Sequence, residues 1–338
     1  MAGLAAAAEA RGRGADVLLL EKGDVAGGAM RWSSGVIWRH ASFEAFRSEC
    51  PGGDEVLQHA VFERLDGDLD WLESLGARLT ERSTGNPRTV GRRFDAGSIV
   101  EALAGDVRLG TPLRSLPAVP VVLATGGFAA SPPLLRSYVS GAPLLLRSTP
   151  WSTGDGLRLG LDAGGSLSAG MDEIYGSAMP DAPLERSRWI TDAQLFARHG
   201  VLRDGDERFV ARAWSEIDAV QWLARRPSGR AWLVVRRAVL GERTPYGTVA
   251  EQIARAEAAG APVRRSGDEI AVRVAAAVTT TLGGLRIDGS GHVAGRVWAA
   301  GGDAGGFAAG GYCSGLAAAL VMGRVAAAAA VSAHAGGS

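Results

Sequence analysis

The sequence predicts an α/β fold: a parallel-sheet domain with an α+β domain inserted into it. Three observations predict this. A helix-forming run, Gly3 to Ala10, is followed after a short glycine turn by the apolar run Asp16 to Leu20, which ends at Glu21. Two later apolar runs, Val119 to Ala124 and Arg296 to Ala300, pass directly into glycine-rich turns. Residues 175–274 differ in character, carrying Trp189, Trp214, Trp222 and Trp232 among many arginines. The expected division is 1–174 for the first part of the main domain, 175–274 for the insert and 275–338 for the return.

The first helix rests on an almost unbroken set of strong helix formers, ended by Gly12 and Gly14. The run Asp16-Val17-Leu18-Leu19-Leu20 reads as a parallel strand buried on both faces. Helix, turn, buried strand and acidic residue form the second half of a dinucleotide-binding βαβ unit. In that fingerprint the third glycine packs the helix close to the strand, and an acid about 20 residues on takes the ribose hydroxyls. Gly3 fits the third glycine, and Glu21 stands 18 positions later. The first strand and the first two glycines would then lie before Met1. Residues Gly27 to Gly35 form a glycine- and serine-rich loop whose N–H groups suit phosphate.

Residues 42–82 read as helical and more polar. Val56, Val61, Leu65, Leu69 and Leu72 recur near helical spacing, and Asp66, Asp68, Asp70 and Glu73 read as a solvated face. Ser98 to Leu103 predicts a short helix and Asp106 to Leu109 a strand. Asp155 stands at a helix start, in an N-cap position. Residues 270–287 return to strand patterning, and a closing helix opens at Ser314.

Composition bounds the function. Lys+Arg and Asp+Glu are both 36 in the 338 residues, so the net charge is zero and a nucleic-acid partner is not expected. Two cysteines, Cys50 and Cys313, make neither a disulfide scaffold nor a thiolate zinc site, and read as reduced thiols in a cytoplasmic protein. The five histidines show no metal spacing. The apolar N-terminus lacks the basic segment of a secretion signal. The apolar stretch Leu316 to Val331, interrupted by Arg324, reads as a buried helix rather than a membrane span.

Taken together and in order, these motifs resemble the flavoprotein family of fumarate reductases, succinate dehydrogenase flavoprotein subunits and 3-ketosteroid dehydrogenases. The residues that carry the resemblance are Gly3-Leu4-Ala5 with Glu21-Lys22, Gly27-Gly28 with Ser33-Ser34-Gly35, and Ala124-Thr125-Gly126-Gly127-Phe128. Thr153-Gly154-Asp155-Gly156, Asp206 to Val210, Thr280 to Leu285, Ala299 to Asp303, and Ser314-Gly315-Leu316 with Gly323-Arg324 extend it. In detail the C-terminal half looks most like the tricarballylate-dehydrogenase-like branch.

The resemblance implies a Rossmann-like FAD-binding domain with its first strand missing, an inserted substrate or cap domain, and noncovalent FAD. Glu21 would accept from the adenosine ribose, with Lys22 beside it. Gly27, Gly28, Ser33, Ser34 and Gly35 would line the pyrophosphate and ribityl chain, and Val107 would offer its backbone to adenine. Ala124, Thr125, Gly126 and Gly127 would admit close approach of the adenosine end, near Asp155. Asp303 would contact the ribityl chain. Ser314, Gly315 and Leu316 would point a helix N-terminus at the flavin pyrimidine edge, a helix-end effect of about 0.3–2 kcal/mol.

The implied activity is a dehydrogenase or reductase acting on a small molecule at a C–C bond beside a carbonyl or carboxylate, with an unidentified electron acceptor. The fumarate reductases follow Arg-Phe-Val with Asn-Glu and then a catalytic arginine; here Ala211, Arg212 and Glu216 stand in those places. Thr279 replaces the histidine before Thr-x-Gly-Gly, and Ala308 to Tyr312 replace the dicarboxylate-binding residues, so fumarate reduction is not expected. Tyr312 is the first candidate for proton transfer, its phenol having a reference pKa of ~10. Thr281 is the candidate hydrogen-bond donor to a substrate carbonyl, and Arg208 the candidate partner of a substrate carboxylate. A flavin-free binding domain of the same fold is the alternative class.

Overall fold

The computed structural model describes residues 1–183, 197–211, 217–244 and 246–336. Trp189, Arg212, Trp214 and Glu216 lie outside the described residues. The chain forms two units. One comprises 1–131, 149–173 and 281–338, and the other comprises 132–148 and 174–280.

The first unit begins with α1 (Ala2–Gly12), whose buried face is Leu4 and five alanines. Strand β1 is only Leu19–Leu20. The predicted burial on both faces is not reached: Leu18 is 59% exposed and both strand residues are half-buried. Among the described residues β1 pairs along one edge only, with a single strand. An antiparallel sheet follows that the sequence reading did not foresee. Strands β2 (Val36–His40), β3 (Leu79–Glu81) and β4 (Thr89–Phe94) pair in the order β2-β4-β3.

Between them lie α2 (Phe43–Glu49) and α3 (Glu55–Ser74), capped by the side chains of Ser42 and Asp54. The α3 stripe is Leu57, Val61, Leu65, Leu69 and Leu72; Val56 is 64% exposed, so the predicted stripe starts one residue early. Helix α4 (Ala96–Leu103) is capped by Asp95. Strand β5 (Val107–Arg108) runs parallel to β1, with Leu19 opposite Val107.

Strand β6 (Val121–Leu123) leads to α5 (Asp155–Asp162), where the cap is Gly154 rather than the expected Asp155. Strands β7 (His292–Ala294) and β8 (Val297–Ala299) complete a second sheet in the order β7-β8-β6, with β8 and β6 parallel. The chain then runs into α6 (Gly315–Ala335), capped by Ser314.

The closing helix is longer than the apolar stretch Leu316 to Val331. At 21 residues, with a window of mean hydropathy 1.8, α6 is long and apolar enough to cross a membrane by length and composition; 56% of that window is buried in the fold. It packs on α1 so closely that a Cβ at Gly323 would stand 2.6 Å from the Ala2 carbonyl oxygen. The close contact expected at Gly3 is looser, since a Cβ there would meet Ala124 Cβ at 3.4 Å and Leu19 Cδ1 at 3.9 Å. Helix α1 therefore lies over the ends of both β1 and β6.

The predicted solvated acidic face of α3 is also corrected at one position. Asp68 is 3% exposed, and its carboxylate pairs with Arg324 of α6. Arg324 Nε also meets Glu9 Oε2 of α1 at 2.8 Å, and its guanidinium lies 4.1 Å over the Trp71 ring. Asp66 pairs with Arg39, and Asp70 and Glu73 pair with Arg92.

The second unit is built on an antiparallel sheet. Strands Glu207–Phe209, Val201–Asp204, Arg230–Arg236, Glu269–Thr281 and Val263–Ser266 pair in that order; Leu145–Leu146 and Ile174–Pro180 also pair with Glu269–Thr281. Helices Pro132–Tyr138, Ile217–Ala224 and Val249–Ala258 accompany it. Leu202, Val272 and Val274 are fully buried in it, at alternate inward positions of their strands.

Candidate cofactor site

The C-terminal ends of the parallel strands in the first unit carry Glu21, Lys22, Ala124, Thr125, Gly126 and Asp303. Glu21 follows β1 directly. Its backbone N–H donates to Arg108 O at 3.0 Å and its carbonyl accepts from Thr111 N at 2.9 Å, which ties it to the exit of β5 beside Val107. Its carboxylate Oε1 accepts from Gly23 N at 2.7 Å, which fixes the side chain against its own turn. Lys22 is not free: Nζ donates to Asp155 Oδ2 at 2.5 Å and also to Thr153 Oγ1. Lys22 and Asp155 are thus brought together across the start of α5.

Ala124 leaves β6, and the turn Thr125-Gly126-Gly127 follows. Gly126 and Gly127 take φ of 93° and 74°, a left-handed backbone that only glycine adopts readily. That backbone turns the amides of Thr125 and Gly127 toward Asp303, which is fully buried. Asp303 Oδ2 accepts from Thr125 N, and Oδ1 accepts from Thr125 Oγ1 at 2.9 Å and Gly127 N at 3.0 Å. Burial pushes its carboxyl up from the usual carboxylate range, against the pull of these donors. Both oxygens therefore serve the turn that follows β6.

The glycine- and serine-rich loop folds as a turn of 3₁₀ helix, Gly28–Trp32, entered through a left-handed Gly27. Ser33 Oγ accepts from Gly35 N at 3.2 Å, while Ser34 is exposed. At the start of α6, Ser314 Oγ accepts from Ala317 N at 3.3 Å and from Trp38 N at 3.5 Å. Gly315 is exposed and Leu316 half-buried, and the space at the Cα of Gly315 is open.

The candidate catalytic residues divide. Tyr312 is half-buried, its ring 5.8 Å from Trp38. Thr281 is 4% exposed and stands against Gly127, where an added Cβ would come within 2.8 Å of its Oγ1. Both belong to the first unit. Arg208 belongs to the second, exposed on the strand Glu207–Phe209 opposite Arg203.

Sequence reasoning passed over His40. It is 2% exposed, Nε2 donates to the Tyr312 carbonyl at 3.2 Å, and its ring packs 5.2 Å from Trp38. Burial lowers its pKa, against the raising effect of that carbonyl and of Glu49. A lone histidine in a strand carries no spacing signal that would have exposed it. Cys50 and Cys313 are both free and buried; burial pushes Cys313 up to about 12 and Cys50 well above the usual thiol range. Among the described residues no group of three or more His, Cys, Asp or Glu is placed to hold a metal.

The residues fit a dinucleotide. A helix N-terminus at α1 with no side-chain cap, a carboxylate at the end of β1 and the Ser314-capped N-terminus of α6 all belong to one unit. Ligands of parallel sheets bind in the crevice beyond the carboxyl ends of the strands.

Comparison with known proteins adds the identity of the ligand. Residues 1–96 match the family model of the FAD binding domain. No curated protein matches the chain. Among solved structures, 3-ketosteroid Δ1-dehydrogenase from Sterolibacterium denitrificans has a TM-score of 0.75 at 16% identity, covering 98% of each chain. A flavocytochrome c3 fumarate reductase has a TM-score of 0.71 at 21% identity, covering 98% of this chain and 76% of that one. Mycobacterium smegmatis Sdh1 has a TM-score of 0.67 at 20% identity, covering 99% and 67%. At these identities the likeness establishes the fold, and the match of residues 1–96 makes FAD its cofactor.

Proposed function

We propose that the chain is a FAD-dependent oxidoreductase acting on a C–C bond beside a carbonyl or carboxylate of a small organic substrate. The observation that carries this reading is that Glu21, the Thr125–Gly127 turn and Asp303 all stand at the carboxyl ends of parallel strands in one unit, the unit that holds the residues 1–96 matching the FAD binding domain. FAD, when bound, supplies the hydride chemistry. Glu21 accepts from the ribose hydroxyls through the oxygen not given to Gly23. Gly27, Gly28, Ser33, Ser34 and Gly35 line the pyrophosphate and ribityl chain, and Val107 meets adenine with its backbone. The N-terminus of α6, at Ser314 to Leu316, favours negative charge developing nearby. Asp303 and Lys22 act by positioning, the one through the β6 turn and the other through α5.

Tyr312 is the proton donor or acceptor, Thr281 orients a substrate carbonyl and Arg208 meets a substrate carboxylate. The reading takes the cofactor as noncovalent, because residues 29–34 contain no histidine. It takes the setting as cytoplasmic, which the two buried free thiols support.

The test of the whole is uptake. After incubation with FAD and gel filtration, the protein is expected to remain yellow, and acid precipitation to leave the colour in the supernatant. A colourless protein overturns the reading, and a coloured pellet overturns its noncovalent part.

A further inference from the structure

We propose that Trp151 forms the wall against which the adenine of FAD stacks, and so makes this chain select FAD over FMN. The inference rests on the FAD reading above and adds a residue that neither the motifs nor the family resemblance points to.

Trp151 is 40% exposed, a large aromatic surface left open in a protein that buries most of its apolar side chains. Its indole lies against the backbone of Gly23, where a Cβ would come within 2.6 Å of Cδ1 and 2.7 Å of Nε1. Gly23 is two residues from Glu21 and donates to its carboxylate. A flat indole beside a carboxylate that accepts from a vicinal diol is the chemistry of a purine nucleoside site. On the FAD reading the isoalloxazine end would lie elsewhere, toward Thr281, Tyr312 and the start of α6.

The backbone that carries the indole is also held in place before any ligand arrives. Ala130 N donates to Ser152 O at 2.8 Å, Thr153 N to Trp151 O at 2.9 Å and Gly154 N to Gly127 O at 2.9 Å. On the other side, Lys22 grips Thr153 and Asp155. The backbone on the C-terminal side of Trp151 is thus pinned to the same two turns, after β1 and after β6, that carry the nucleotide-binding residues. A preformed aromatic wall adds stacking free energy without the ordering cost of a mobile one. Base-on-aromatic stacking has its effect through the π-face and needs no hydrogen bond.

The experiment measures the affinities of FAD and FMN by flavin fluorescence quenching and of ADP by calorimetry, using the full chain. Trp151→Leu is expected to weaken FAD and ADP by about tenfold, the effect of about 1.4 kcal/mol, and to leave FMN unchanged. Trp151→Phe, which keeps a ring, is expected to stay within about threefold of wild type. Gly23→Ala, which drives a Cβ into the indole, is expected to follow Trp151→Leu. If Trp151→Leu binds FAD and ADP as wild type does while Glu21→Ala weakens both, this inference fails and the FAD reading stands. Equal loss of FMN and FAD in Trp151→Leu shows general damage to the fold and also overturns the inference. A wild-type chain that takes up neither FAD nor ADP overturns both.

Discussion

Glu21 bears the sharpest test among single residues. Hydrogen bonds to a charged group contribute about 1.5–3 kcal/mol each. Glu21→Ala removes a carboxylate that the fold has fixed at the end of β1. FAD affinity is expected to fall at least about tenfold, one decade for ~1.4 kcal/mol, and FMN, which lacks the adenosine ribose, to change little. Equal retention of FAD in a fluorescence titration would show that the carboxylate only braces Gly23. Glu21 was legible because its place in the pattern of strand and glycine is chemical. The internal contacts of Lys22 and Asp303 were not, because partners at Thr153, Asp155, Thr125 and Gly127 lie far away in sequence. His40 was hidden too: Trp38 and Phe46 stand near it in sequence, but the Tyr312 carbonyl that its ring meets is distant, and no periodic pattern records that contact.

At the level of elements, the helices and the strands that end in glycine turns were readable, and the β2-β4-β3 sheet was not. Helix α4 starts beside its Asp95 cap, and α6 opens at Ser314, both set by local hydrogen bonds. The strands of the overlooked sheet are short and join residues such as Ile37 and Arg92, so their pairing depends on long-range register. The α1–α3–α6 packing has its own test in Arg324, which meets Glu9, Asp68 and Trp71 at once. Asp68 Oδ2 is already buried with no hydrogen-bond partner among the described residues. Arg324→Ala leaves that carboxylate unpaired and is expected to destabilise by about 3–5 kcal/mol. Adding Asp68→Asn is expected to recover part of the loss in urea denaturation. A loss below about 1 kcal/mol for Arg324→Ala would place the cluster with weak surface pairs.

Across the whole molecule, buried titratable groups set opposing pH trends. His40 has its pKa lowered from 6.5 by burial, so the unfolded chain binds the proton more readily. Its contribution is present above that value and is lost as pH falls through and below it. Asp303 and Asp68 are raised by burial, so theirs is present below the ordinary carboxylate value and is lost as pH rises through the folded one. Glu9 has the reverse sign to these two; burial raises it, but Arg324 and Arg13 bring it down on balance. As pH falls through the ordinary imidazole value, His40 contributes a loss of stability with a slope of at most about 1.4 kcal/mol per pH unit. His40→Gln is expected to flatten that loss. An unchanged pH profile in chemical denaturation would contradict this assignment.

The grip of Lys22 on Thr153 and Asp155 has a practical side. Lys22 is the only lysine in the chain, every other basic side chain apart from histidine being arginine. An amine-directed acylating reagent therefore finds a single ε-ammonium, and that one is engaged in an ion pair. A lysine-specific endoprotease likewise has one bond to cut, the one after Lys22, between β1 and the glycine-rich loop. Labelling rate and cleavage rate at this position thus report on a single contact, giving the chain an intrinsic reporter of whether the turn after its first strand is open or closed.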